Sequence, residues 1–387
     1  MTNDKHIFDL NSETGAEQQA VVDAVDRFAQ ECLAPMARTV DETSEFAGCH
    51  IPAMSKVGLM GMNLPEQWGG LDISAQTLLE AVAAVAGACG STASLLTAHF
   101  LATDAILLGG DDAQRQRYLP DSASGKKLGA FALTESDAGS NPADMRVQAI
   151  AEQGGYRIQG SKQFISNGGA ADYLVVFALT DPDAGHRGIS AFIVDSDTQG
   201  FTAGPAEKTM GLKGGHVFPL QFDCFVPTEN RLGGEGSGFR TAMRVLDNGR
   251  LEVAAMCIGI ARAALNAATN WAKERQISGK PVSNFQGIQW MIADMATQLE
   301  AATLMARNAA CKRSLGEGFS KESAMAKVFA SEMADKVTDL ALQIHGGYGY
   351  SRDFPLERYV RDVRIMRIYE GSSEIQRNII ARHVLSD

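Results

Sequence analysis

The spacing of apolar residues changes twice along this chain of 387 residues, near Gly129 and again near Gly236. That double change limits the folds open to it. Residues from about 13 to 125 read as helices. Val21, Val22, Ala24, Val25 and Phe28 form an apolar stripe that continues to Cys32. Pro65-Glu66-Gln67-Trp68-Gly69-Gly70 breaks the pattern, and the Ala-rich stretches Thr77–Ala88 and Ser91–Leu108 resume it. In the middle segment, Gln148–Ala151 and Tyr156–Gln159 flank Gly154-Gly155, a hairpin signal. Tyr173–Leu179, Ile189–Val194 and Val217–Val226 read as further strands. Helix returns after Gly236: Phe239–Glu274, broken only at Asn248-Gly249, then a helix whose Ile288, Met291, Ile292, Met295, Leu299 and Ala302 give one buried face. Lys321–Leu342, Leu356–Ile368 and Ser372–Leu385 complete the set. The sequence predicts an α+β fold, mainly α: an N-terminal helical domain (1–127), a small middle β domain (128–232) and a C-terminal four-helix bundle (233–387).

A net charge of −11 argues against a general nucleic-acid binder. The six cysteines never approach C-x-x-C spacing, which disfavours a zinc site or a disulfide framework and favours a reducing compartment. No apolar stretch reads as long enough to span a bilayer, and Met1–Lys5 leads into no signal-peptide core. The expected location is the bacterial cytoplasm, or a mitochondrial matrix in a eukaryote.

The run Ile368-Tyr369-Glu370-Gly371-Ser372-Ser373-Glu374 carries the most chemistry. It sets one carboxylate, Glu370, among apolar residues, where its pKa rises and suits it to remove a reluctant proton. Gly371 permits a sharp turn close to a ligand, and Ser372, Ser373 and Glu374 read as a first helical turn. Phe131–Asn141 joins a short strand to a loop rich in hydroxyls and glycine. Gly160–Gly168 places Phe164 two residues from Ser166 on a strand, and so on the same face, where a flat ring could stack. Gln343-Ile344-His345-Gly346-Gly347 is a glycine-rich helix end that admits a pyrophosphate but is also how many helices stop. G-x-G-x-x-G after a strand and G-x-x-x-x-G-K-[ST] are both missing, so Rossmann and P-loop nucleotide binding are unsupported.

Taken in order, these stretches resemble the acyl-CoA dehydrogenases over nearly the whole chain, most closely the short-chain and short branched-chain members. The resemblance implies FAD bound without a Rossmann fold, a homotetramer, and electrons passed from an acyl-CoA to an electron-transfer flavoprotein. By similarity, Phe131, Leu133, Thr134, Gly139 and Ser140 border the flavin, Ser140 also touching the CoA arm. Phe164 and Ser166 lie against the isoalloxazine. Arg275, Phe285, Gln286, Gln343, Gly346 and Gly347 contact FAD from a neighbouring subunit, and Ser372 and Glu374 its adenosine half. Asp247 and Arg250 match a substrate-side loop, Gly371 borders the substrate, and Glu370 matches the base. It takes the α-proton while the β-hydride goes to flavin N5, giving the 2-enoyl-CoA.

Three positions depart from the family pattern. Phe164 stands where tryptophan is common, and Ser278 where phenylalanine is. Gly249 stands where some members carry the base, which leaves Glu370. Phe100 and Leu101 are candidates for the floor of an acyl pocket, with plain helix core as the other reading of both. A saturated four- or five-carbon acyl-CoA is the expected substrate. An oxidase, a desulfinase-type lyase on the same scaffold and a non-catalytic acyl-CoA-binding subunit are the competing readings.

Overall fold

The computed structural model describes residues 15–386; the reading of Met1–Lys5 lies outside them. Six helices come first: α1 (Ala16–Phe28), α2 (Ala34–Thr43), α3 (Ile51–Lys56), α4 (Ala75–Ala88), α5 (Gly90–Gly109) and α6 (Asp112–Ala123). α4 starts on Ser74, whose side chain accepts the Thr77 N–H, and α6 on a reciprocal Asp111–Gln114 capping box. Between them, α5 is buried on nearly all sides.

The middle segment forms one eight-stranded sheet: β1 (Gly129–Ala132), β2 (Gln148–Glu152), β3 (Gly155–Ser166), β4 (Tyr173–Leu179), β5 (Ile189–Asp195), β6 (Phe201–Ala203), β7 (Val217–Pro227) and β8 (Arg231–Leu232). The order is β6-β7-β3-β2-β4-β5-β8, with β1 parallel to β4. The β2–β3 hairpin turns at Gly154, as its glycine pair predicts. β3 runs past its expected end at Gln159 to Ser166, and its register against β7 shifts between Lys162 and Ile165.

The chain returns to helix with α7 (Gly238–Glu274), α8 (Gln286–Ser314), α9 (Ser320–His345), the short α10 (Gly347–Tyr350), α11 (Leu356–Val363) and α12 (Ser373–Ser386). The expected break in α7 at Asn248-Gly249 is not there: the helix runs unbroken for 37 residues. Glycine lowers helix propensity by about 1 kcal/mol, which packing along the rest of α7 overrides. In α8, Met295, Leu299 and Ala302 are buried as expected, but Ile288, Met291 and Ile292 are only half-buried. The first turns of α8 pack against the edge of the core and also border a surface groove. One continuous core joins α4 and α5 to α7, α8 and α9, so both helical segments pack on α7.

Contrary to the sequence expectation, α5 and α7 are long and apolar enough to cross a membrane by length and composition. Their apolar windows are 83% and 72% buried inside the protein. Packed protein here fills the place that lipid would take around a lone helix.

Candidate active site

Glu370 lies in the turn between a 3₁₀ turn at Arg364–Arg367 and α12. Its φ is +54°, a left-handed conformation that costs a non-glycine residue about 1 kcal/mol or more. Gly371 follows at φ +87°, which favours glycine, and a Cβ there would lie 2.6 Å from Gln376 Nε2 and displace that side chain. Ser372 caps α12 by accepting the Ile375 N–H at 3.5 Å, and Glu374 is exposed in the first turn. The turn holds the Glu370 carboxyl inward. Its Oε2 is shut from solvent and has no hydrogen-bond partner among the described residues. Burial pushes this carboxyl up to about 7, with the nearby Arg250 and Lys327 charges pulling the other way.

Gly249 explains how the carboxyl fits. A Cβ at this position would sit 2.8 Å from Glu370 Oε2 and 2.8 Å from Leu101 Cδ2. One turn of α7 therefore lies against the carboxylate because it carries no side chain there. Asp247 and Arg250, expected on a loop, are on this helix and form an ion pair, and Asp247 also accepts the Ser320 hydroxyl at 2.9 Å. Asp247 borders a polar cavity of about 780 Å³ whose wall includes Arg244, Lys312, Arg313, Lys321 and His383.

The two candidates on α5 separate. Leu101 faces Gly249 and the carboxylate, whereas Phe100 is wholly buried in the main core. Further along, the Met256 sulfur lies 3.7 Å from Thr97 Oγ1 and 3.7 Å from the Tyr369 hydroxyl. Sequence reasoning missed Met256; its spacing of seven from Gly249 puts both on one face of α7.

A second buried polar group lies beside the site. Asp104 accepts from Asn63 Nδ2 at 2.7 Å and from Asn248 Nδ2 at 2.6 Å. Glu252, one turn beyond Asn248, is 1% exposed, and neither of its oxygens has a partner among the described residues. Burial holds its carboxyl well above the usual 4.5, and the Asp104 charge adds to that. The sign follows: above pH 4.5 the unfolded chain loses this proton while the folded chain keeps it, so folding becomes less favourable as pH rises. Glu252→Gln should raise the melting temperature at pH 8 and leave it nearly unchanged at pH 4, as read by thermal denaturation at both pH values.

Apart from Ser372 and Glu374 beside the Glu370 turn, the expected cofactor residues fall into two sets. In the first, Phe131 and Leu133 are mostly buried, Phe131 packing at a tilt against Phe177 with 4.9 Å between ring centroids. Thr134 and Ser166 are half-buried, and Gly139 and Ser140 are exposed. Phe164 is 61% exposed at φ +57°. The register shift in β3 replaces the regular alternation assumed for Phe164 and Ser166, and the left-handed φ turns the ring outward. Lys162 pins this loop to β3. Its Nζ donates to Leu133 O at 2.9 Å and to Glu135 Oε1 at 2.8 Å, and Glu135 also accepts the N–H groups of Arg146 and Val147. Burial brings the Lys162 ammonium down to about 8.

In the second set, Arg275, Phe285, Gln343, Gly346 and Gly347 line one groove of about 920 Å³ together with Trp271 and Tyr348. Gln286 is exposed next to it, at the start of α8. The Arg275 guanidinium lies over the Trp271 and Tyr348 rings. A Cβ at Gly346 or Gly347 would meet nothing within 4 Å, so their backbone is open to a ligand. Ser278, at φ +52°, begins the Ser278-Gly279 turn of a small hairpin beside the groove. No member of the first set lines this groove.

Three family models cover the chain in sequence: "Acyl-CoA dehydrogenase, N-terminal domain" over residues 15–126, "middle domain" over 130–255 and "C-terminal domain" over 236–385. The chain belongs to the acyl-CoA dehydrogenase family. It is an oxidoreductase acting on acyl-CoA, in a family of FAD flavoproteins. It is 44% identical to the acryloyl-CoA reductase (NADH) of Anaerotignum propionicum, over 95% of this chain and 94% of that one. Its structure matches butyryl-CoA dehydrogenase from Megasphaera elsdenii with a TM-score of 0.94 and 39% identity, over 96% of this chain and 99% of that one. It also matches, at a TM-score of 0.95 and 40% identity over 97% and 100%, a chain solved in work on the electron transferring flavoprotein of Acidaminococcus fermentans.

Proposed function

We propose that this chain converts a short acyl-CoA thioester to its 2-enoyl-CoA, with Glu370 as the base that removes the α-proton. The buried, partnerless Glu370 Oε2, raised to about 7 and given room by Gly249, carries this reading. A carboxylate with that affinity for a proton can take one from carbon near neutral pH. As it does so, negative charge grows on the thioester oxygen, where a nearby backbone N–H donor is typically worth about 2.7–4 kcal/mol. The Glu370 N–H is available for that contact, since no backbone or side-chain acceptor takes it among the described residues.

The donor set fits FAD. The groove offers a guanidinium, two aromatic rings and two open glycines; the β3 region offers an exposed Phe164 and the Ser166 hydroxyl. When bound, the flavin supplies the acceptor for the β-hydride. Because the two sets line different surfaces of one chain, we propose that they meet across a subunit boundary in a homotetramer. The polar cavity beside Asp247 is the proposed entry for the CoA arm, with Arg244 and Lys321 facing its phosphates. Similarity to the A. fermentans chain supports an electron-transfer flavoprotein as electron acceptor, and bacterial relatives support the cytoplasm as the location. The proposed domain limits remain 1–127, 128–232 and 233–387.

Thr97, Leu101, Met256 and Tyr369 lie on the Glu370 side of α7, and they are the proposed wall of an acyl pocket for four or five carbons. Similarity to butyryl-CoA dehydrogenase supports that length. The test is anaerobic titration of the purified protein with butyryl-, isobutyryl-, isovaleryl- and octanoyl-CoA, following the visible flavin absorbance. Bleaching by a short acyl-CoA supports the reading, and octanoyl-CoA bleaching fastest removes the proposed length. Peroxide released on rapid aerobic reoxidation would instead mark an oxidase. Met256→Ala should open the far wall and raise kcat/KM for hexanoyl-CoA relative to butyryl-CoA about 10-fold, in keeping with ~1–3 kcal/mol for a methylene in an apolar pocket.

A further inference from the structure

Lys327 was not singled out from the sequence, and it is 0% exposed. It projects from α9 beneath the Glu370 turn, where its Nζ donates to Tyr369 O at 3.0 Å and to Gly371 O at 2.7 Å. Gln376, also fully buried, donates through Nε2 to Glu370 O at 3.0 Å and to Gly371 O at 2.8 Å. Two buried side chains therefore take three consecutive carbonyl oxygens. A trans peptide is planar, with its N–H pointing opposite to its C=O. Fixing the carbonyls of 369, 370 and 371 thus fixes the N–H groups of 370, 371 and 372 toward the other side of the turn. None of those three N–H groups has an acceptor among the described residues.

We propose that Lys327 is a positioning residue for the reaction: it clamps the turn so that the Glu370 N–H and carboxylate together face the thioester, and its charge favours the ionised base. The inference rests on Glu370 being that base. A left-handed Glu370 needs outside support, because the strained conformation persists only where its surroundings hold it. A buried ammonium also requires partners, and two carbonyls with a nearby carboxylate provide them. The charged and titratable groups around it come from every element packed there. They are Cys257 and Arg250 on α7, Glu370 in the turn and Glu374 on α12. Burial brings Lys327 down to about 8; Cys257, Glu370 and Glu374 favour its charge and Arg250 opposes it.

The test compares Lys327→Met and Lys327→Gln with the parent by anaerobic rapid-mixing of butyryl-CoA across pH 5.5–9. Flavin content and melting temperature are read alongside. Binding of acetoacetyl-CoA, whose acidic α-carbon gives an enolate without turnover, reports the oxyanion side. Lys327→Met should reduce flavin at least 100-fold more slowly at pH 8. Its acid limb should move up from about 7, because the cation that lowered the Glu370 pKa is gone. Lys327→Gln retains a donor without charge, so it should recover part of the rate and show the same displaced limb. Both should bind acetoacetyl-CoA at least tenfold more weakly. A slower rate with the limb unmoved and enolate binding intact would mean a merely structural role and overturn the proposal, as would a rate within threefold of the parent. If the variants do not fold, the parent decides: its rate must fall above about pH 8 as Lys327 loses its proton, and a flat profile to pH 9 overturns the proposal. If Glu370→Gln still bleaches at the parental rate, the base assignment has failed instead, and the two failures are distinct.

Discussion

Glu370→Gln should keep its flavin and lose its reaction. The amide has nearly the shape of the carboxylate and fills the same space against Gly249, but it cannot take a proton. General-base catalysis is typically worth about 10²–10⁴-fold, and a loss at the upper end is expected because no other described residue stands ready to replace this base. Asp104 and Glu252 lie near, yet Asp104 is held by Asn63 and Asn248, and burial together with the Asp104 charge holds the Glu252 carboxyl well above its usual range. The readout is the rate of anaerobic flavin bleaching by butyryl-CoA. In the parent this rate should climb about tenfold per pH unit up to about 7, since only the ionised carboxyl accepts the proton, and fall again above about 8 as Lys327 loses its charge. In Glu370→Gln the residual rate should lack that limb. Stability should move the other way. A folded carboxyl raised above its usual 4.5 weakens folding as pH climbs past that value, so the amide variant should melt higher than the parent at pH 8 and alike at pH 4. Parental bleaching by Glu370→Gln would overturn the assignment of the base.

Elements were legible in the sequence where local pattern decides them. The β2–β3 hairpin follows from Gly154-Gly155, and the helix start after Glu370 follows from Ser372. What stayed hidden depends on neighbours distant in sequence. Asn248-Gly249 has the local chemistry of a helix break, yet packing against α4 and α9 carries α7 straight through it. Phe164 and Ser166 have strand spacing, but the β-bulge opposite β7 rotates them out of simple alternation. Lys327 lies 43 positions before Glu370 on a helix with no motif of its own, so nothing local marks it. Its spacing on the α9 face, among Ala324, Ala330, Ser331 and Ala334, is that of a core position, and a lysine at such a position was the available signal.

Gly249→Ala should separate stability from activity at a single atom. By helix propensity alone, alanine inside α7 is worth about 1 kcal/mol over glycine. The added methyl would meet Glu370 Oε2 and Leu101 Cδ2, both at 2.8 Å, a separation that real Cβ contacts do not tolerate. Those two atoms end flexible side chains, unlike the backbone carbonyl of Ala83 that a Cβ at Gly259 would strike at 2.0 Å. Gly259→Ala should therefore drive α4 and α7 apart and damage the fold. Gly249→Ala should instead be absorbed by a movement of the carboxylate and Leu101, leaving the melting temperature equal to or above that of the parent. The cost then falls on the reaction, where a 1 Å misplacement can lose about 10²-fold. The expected result is a well-folded, flavin-containing protein whose anaerobic bleaching by butyryl-CoA is about 100-fold slower. Equal rates in Gly249→Ala and the parent would show that the carboxylate need not lie where α7 leaves room for it, and the steric origin of the glycine would have to be abandoned.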